Sequence, residues 1–328
     1  MKPPLPSTAT AARAPAQGSP TIGVALGGGG ARGLGHIAML EVFDDLGIRP
    51  KVMAGTSIGA IYGAAYASGI AAKDLRSHTR EILSQRFGLV RDLFAARSQP
   101  FQRIAGLFGQ RSSILEPEAL LELIMPKAVK QTFAALPIPL KIVATDFYRQ
   151  ESVIFAEGPL RKAVAASMAL PVIFQPVMHE GRALIDGGLT NPLPYDLLTK
   201  EADIVVAIDV SGVPVPDPNR PFPAAFESLF ATAFIFERTI IKEKLNFNQP
   251  DILIRAGTNQ YQLLDIFKFE EILAAAEPAK ERLKQQLDRV LSVETLEPNV
   301  AAAERPGNAI EAKRKGLLAR TRRRADAP

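Results

Sequence analysis

Residues 21–33 read TIGVALGGGGARG and residues 51–59 read KVMAGTSIG, and these two stretches decide the architecture. In each, a short apolar run with strand character passes straight into a glycine-rich turn and then into residues with helical spacing. After the first, Leu34, Ile37, Ala38, Leu40, Val42, Phe43 and Leu46 recur at that spacing, and Gly47 supplies a C-terminal cap. After the second, the helix is predicted over residues 60–68. Further strands are predicted at 140–146, 152–156, 202–210 and 251–256. Helices are predicted through 75–133 and at 224–245 and 270–291. The run ADIVVAIDV (residues 202–210) is apolar throughout, as a strand covered on both faces must be. Strands alternating with helices make this an α/β chain with a sheet layered between helices.

The 328 residues carry 39 Lys/Arg against 34 Asp/Glu, a formal net charge of +5, with 47% hydrophobic residues and no cysteine or tryptophan. Absent cysteine excludes disulfides, thiolate metal sites, Fe–S clusters and a cysteine nucleophile together. Residues 301–328 hold eight Lys/Arg and three acids, so residues 1–300 balance at 31 of each sign. The basicity is that of a tail, and it gives no reason to expect nucleic acid on the folded body. Residues 1–20 are rich in Pro and Ala, without the apolar stretch of a secretory signal, and are expected to be a disordered leader. Residues 21–295 are expected to form one domain, and 296–328 a disordered basic tail. Residues 52–72 are uncharged and long enough to cross a bilayer, but seven alanines, four glycines and two serines keep their hydrophobicity modest. They are read as a close-packed buried helix in a soluble body, which is expected in the cytoplasm, with peripheral lipid contact open.

Three motifs carry chemistry. Gly27–Gly33 (GGGGARG) joins strand to helix. Gly28, Gly30 and Gly33 also satisfy the dinucleotide fingerprint, which would make the chain an oxidoreductase. That reading needs an acid at the end of the next strand, where Gly55, Thr56 and Ser57 stand instead. The other use of such a loop is to aim backbone N–H groups at developing negative charge, with Gly28, Gly29 and Gly30 as donors and Arg32 adding positive charge or bracing the turn. Gly55–Gly59 (GTSIG) fits the nucleophile elbow, a sharp strand-to-helix turn that lifts the Ser57 hydroxyl out of the sheet. Consecutive parallel strands deliver both turns to one sheet edge.

A serine nucleophile needs a base. His36 follows the glycine loop and reads as packing or capping; His78 lies in a charged helix and reads as solvated; His179 sits at the tip of a predicted hairpin. Asp186, followed by Gly187 and Gly188 at the end of that hairpin, can take the proton directly if held in a partly desolvated site. Phe222, Phe226, Phe230 and Phe234 recur every four residues, and the stripe reads either as core or as a lipid-facing rim. Acyl-chain contacts are sought there and in residues 94–125. No carboxylate cluster has metal-loop spacing.

With these motifs in order, the chain resembles the patatin-like phospholipases. Gly28–Gly33 matches the family's oxyanion motif, Gly55–Gly59 its nucleophile elbow, and Asp186–Gly188 its Asp-Gly-Ala/Gly motif, with Asn191 and Pro192 following. The block ASMALPVIFQPV (residues 166–177) and the strand end at Ala144, Thr145 and Asp146 fit too. The resemblance spans about residues 23–256. It implies a three-layer α/β/α fold with a mainly parallel sheet, a Ser57–Asp186 dyad without histidine, and hydrolysis of lipid acyl esters; no cofactor or metal is expected. A non-catalytic lipid-binding module is the remaining alternative.

Overall fold

The first strand, β1 (Ile22–Leu26), is buried along its whole length, and the sheet grows outward from it in both directions. In the computed structural model, residues 20–85, 115–213, 222–223 and 225–294 are described. The leader up to residue 19, the tail from 295 and the segment 86–114 lie outside the described residues. On one side β1 pairs in parallel with β2 (Val52–Thr56), which pairs in parallel with β3 (Leu140–Asp146). On the other it pairs in parallel with β7 (Ile204–Asp209), and β7 with β8 (Ile252–Arg255). Beyond β3 the sheet turns antiparallel, through β4 (Glu151–Phe155), β6 (Arg182–Asp186) and β5 (Val177–His179).

Alternate residues of the central strands face opposite helical layers. Ala25, Val52, Ala54, Val205 and Ala207 pack with Leu193, Tyr195, Leu198 and Ile241, the last from the helix Ala225–Phe247. On the other face Leu26 and Leu140 approach Gly63 of the helix Ile58–Ala67. Helices therefore cover both faces, as the alternating pattern requires, and the architecture is an α/β/α sandwich about a mixed, mainly parallel sheet. The final helix, Phe269–Glu294, ends in a separate unit that starts at Leu287, of which residues 287–294 are described.

The uncharged stretch 52–72 divides into β2, the turn at Ser57 and the helix Ile58–Ala67. Among the described residues no helix is long and apolar enough to cross a membrane. Where a single helix was expected over 34–46, a 3-10 turn (Gly30–Gly35) precedes the α-helix His36–Asp45. Gly47 closes that helix at φ +65°, with Ile48 N–H donating to the Phe43 carbonyl and Gly47 N–H to Asp44. The described part of 75–133 holds the helices Ala72–Gln85 and Pro117–Ile124 and a 3-10 turn at Phe133–Ala135. The short helix Leu160–Ser167 was not legible as one, because Ala163, Val164, Ala165 and Ala166 are all buried and leave little periodicity to read.

Gly59 decides how near the elbow helix comes to the sheet. A Cβ there would strike the Leu26 carbonyl and come within 2.8 Å of the Gly27 carbonyl oxygen, both backbone atoms that cannot swing away. Gly59→Ala is expected to cost about 3 kcal/mol of stability through overpacking, read as a lowered Tm.

Candidate active site

The register brings Ser57 and Asp186 level. Thr56 stands opposite Val143, and Ala144 opposite Asp186, so the residue after Thr56 and the last residue of β6 lie on one line across β3. Two strand spacings of roughly 4.8 Å separate their backbones, a gap that two side chains leaning inward can close. They do close it: Ser57 Oγ donates to Asp186 Oδ2 at 2.7 Å. The pairing spans 129 positions of chain.

Ser57 has φ 55° and ψ −121°, a conformation that non-glycine residues rarely adopt. Such strain costs on the order of 1–3 kcal/mol and persists only where the surroundings enforce it. Here Ser57 N–H donates to Ser167 Oγ at 2.8 Å, and Thr56 Oγ1 donates to the Asn191 carbonyl at 2.8 Å. The helix that follows the turn keeps Ser57 at its N-terminus.

The Asp186 carboxylate is fixed from several directions. Its Oδ1 accepts from Gly188 N–H at 2.8 Å, its own N–H donates to the Ala169 carbonyl, and its carbonyl accepts from Thr145 Oγ1 at 2.9 Å. Burial raises its pKa to about 6, while the bonds from Gly188 and Ser57 pull the other way. A carboxylate so placed is ionised at neutral pH yet basic enough to take a proton.

None of the three histidines bonds the serine. His36 is fully buried, its Nε2 2.8 Å from the Gly27 carbonyl oxygen, and burial lowers its pKa to about 4, so it is a neutral brace for the loop. His78 is half-buried rather than solvated: its Nε2 lies 2.9 Å from the Ile124 carbonyl oxygen and its ring lines the cavity described below. The contact comes from the helix Pro117–Ile124, which no local pattern around His78 announces. His179 stands beside Phe155, ring centroids 5.1 Å apart, near the hairpin turn formed by Glu180 and Gly181.

The glycine loop departs from expectation at two residues. Gly28 N–H donates to the Pro192 carbonyl at 2.9 Å and is thereby withdrawn from the set of candidate oxyanion donors. Arg32 does not reach the cavity. Its guanidinium is buried over the Phe234 ring, 4.6 Å from the centroid, and donates to the Tyr261 carbonyl at 3.1 Å, so it braces the loop. Gly29 and Gly30 remain, both lining the cavity with Ser57. Gly30 takes φ +59°, and a Cβ there would run into the Leu263 side chain and carbonyl. Gly33 is packed against Ile58, and Gly55 against Gly59 and Ala60, which ties the loop to the elbow. Gly187 lies against the Val143 carbonyl, so the chain can turn away immediately after Asp186.

Ser57 and Asp186 open onto a cavity of about 190 Å³ whose walls are overwhelmingly apolar, among them Ile61, Leu75, Leu120, Leu170 and Phe174. Leu120 and Ile124 belong to the predicted 94–125 region; residues up to 114 lie outside the described residues. Of the phenylalanine stripe, Phe234 lines the cavity, Phe230 is buried, and Phe222 precedes the helix and is 80% exposed. The side chain of Phe226 lies outside the described residues. The stripe is thus neither all core nor all rim. Two contributors escaped the sequence: Ser167, and Glu237, a second carboxyl on the same cavity.

Residues 24–199, more than half of the chain, match the patatin-like phospholipase family. The chain belongs to that family. An uncharacterised NTE family protein of Mycobacterium tuberculosis is 36% identical over 195 residues, 59% of this chain and 50% of that protein. The human patatin-like phospholipase domain-containing protein 6 is 30% identical over 193 residues, 58% of this chain and 13% of that protein. This chain thus spans half or less of the length of these curated relatives. Among solved structures, VipD from Legionella pneumophila superposes with a TM-score of 0.45 at 15% identity, covering 84% of this chain and 67% of that one. The family match takes in the glycine loop, the elbow and Asp186 together.

Proposed function

We propose that this patatin-family chain hydrolyses carboxylic esters of lipids with Ser57 as nucleophile and Asp186 as its base. The observation that carries the reading is the 2.7 Å hydrogen bond from Ser57 to a buried Asp186 at the edge of an apolar cavity. Asp186 takes the Ser57 proton as Oγ attacks the acyl carbonyl. The electron pair of the C=O bond moves to oxygen, and the N–H groups of Gly29 and Gly30 stabilise the charge there. The C–O bond to the alcohol then breaks, and Asp186 returns the proton to the leaving oxygen. Asp186 next removes a proton from water, whose oxygen attacks the acyl-Ser57 ester; fatty acid leaves and Ser57 regains its proton. The acyl chain occupies the apolar cavity, where each buried CH₂ contributes roughly 0.8 kcal/mol. The dyad needs no metal and no cofactor, and the substrate is reached by peripheral contact with lipid.

Release of fatty acid from short- and long-chain esters by the purified protein, compared with Ser57→Ala, tests the reading. A Ser57→Ala protein as active as the parent would end it. The pH profile provides a further expectation. Protonated Asp186 cannot accept the serine proton, so kcat/KM is expected to climb through pH about 6 and reach a plateau between about pH 7 and 8. A base with the ordinary carboxylate pKa would put that rise about two units lower.

A further inference from the structure

Glu237 has no part in the steps above, yet it is among the most deeply buried carboxyls of the described chain, 5% exposed. It projects from the helix Ala225–Phe247 into the same cavity as Ser57, Asp186, Gly29 and Gly30. Gly188 explains how it fits. A Cβ on Gly188 would sit 2.7 Å from Glu237 Oε1 and 3.1 Å from Asp186 Oδ1, so both carboxyls crowd one point that only a glycine leaves open. The charged groups facing Glu237 are Asp186 at the end of β6, Arg32 of the glycine loop and Asp209 at the end of β7. Two acids oppose a further negative charge there, and one arginine favours it.

We propose that Glu237 couples lipid binding to its own protonation: an acyl or alkyl chain enters the cavity while Glu237 is neutral and is rejected once it ionises. This rests on the cavity being the acyl-chain site. The physical reason is desolvation. A chain filling the cavity strips remaining water from the carboxyl, which a neutral acid tolerates and a carboxylate does not. Burial raises the Glu237 pKa to about 8, Asp186 and Asp209 adding to the rise and Arg32 opposing it, so the transition falls just above neutrality. Glu237 is accordingly a positioning residue that sets when the site accepts substrate.

The test measures the Kd of a neutral, non-hydrolysable alkylglycerol ether from pH 6 to 10, for the parent protein and Glu237→Gln. The parent is expected to lose affinity about tenfold per pH unit above pH 8, and Glu237→Gln to show no such slope. Binding that is equally flat in both, or equally sloped in both, overturns the coupling while leaving the acyl cavity intact. Absence of binding at every pH overturns the acyl cavity and the coupling with it. Stability gives a second measurement that needs no ligand. A carboxyl whose pKa is higher in the folded than in the unfolded chain favours folding at low pH and loses that contribution as pH rises to about 8. The parent Tm is therefore expected to fall between pH 5 and 8 more steeply than that of Glu237→Gln; identical slopes overturn the proposal.

Discussion

Asp186→Asn is expected to lower ester hydrolysis by about 10³–10⁴-fold while the protein stays folded. Asparagine matches the shape of aspartate and keeps an oxygen for the Gly188 N–H, the bond that fixes the carboxyl from behind. It cannot take a proton from Ser57, and its amide offers the serine oxygen a donor where an acceptor is needed. The stability change has the opposite sign. Since burial raises the Asp186 pKa to about 6, the native carboxylate works against folding as pH rises through that value. The asparagine variant escapes this and is expected to melt above the parent at pH 8. Loss of activity together with a higher Tm separates a missing base from a damaged fold. An Asp186→Asn protein that keeps its rate, beside a His78→Ala or His179→Ala protein that loses it, would move the base to an imidazole.

Gly30→Ala is expected to give the second large effect, a fall in kcat of about 10²–10³-fold. The φ of +59° already strains an alanine by about 1–2 kcal/mol, and the new methyl also meets the Leu263 side chain and lies 2.7 Å from the Leu263 carbonyl oxygen. The same carbonyl accepts the Ala31 N–H at 2.9 Å, so Leu263 is held in place and the loop must move. Moving it would carry the Gly29 and Gly30 amides away from the oxyanion they are proposed to stabilise. Removing one such donor typically costs about 2.7–4 kcal/mol in the transition state. If the apolar walls supply substrate affinity, as proposed, KM is expected to change far less than kcat. Gly28 offers the contrast: its N–H is already committed to Pro192, so it is no candidate for this kinetic role.

The parts of the site that could be read in the sequence are those written in local chemistry. A strand followed by glycines, GTSIG at a strand end and Asp-Gly-Gly after a hairpin each declare a backbone geometry, and all three reached one sheet edge. What escaped is non-local. Glu237 looks like any acid in a long helix until the sheet places Gly188 beneath it. The Pro192 carbonyl takes the Gly28 amide across 164 positions of chain, and Tyr261 and Phe234 draw Arg32 away from the cavity. Ser167, which fixes the elbow amide, lies in a helix whose small buried residues hide its period. His78 was read as solvated because its neighbours in sequence are charged, whereas its partner comes from another helix.

The most direct measurement of the central claim is covalent labelling of the intact protein with a long-chain fluorophosphonate, with the modified residue located by mass spectrometry. The expected result is one adduct per chain, on Ser57, absent in Ser57→Ala and formed far more slowly in Asp186→Asn. Labelling at a different residue, or none in a folded parent protein, would contradict it.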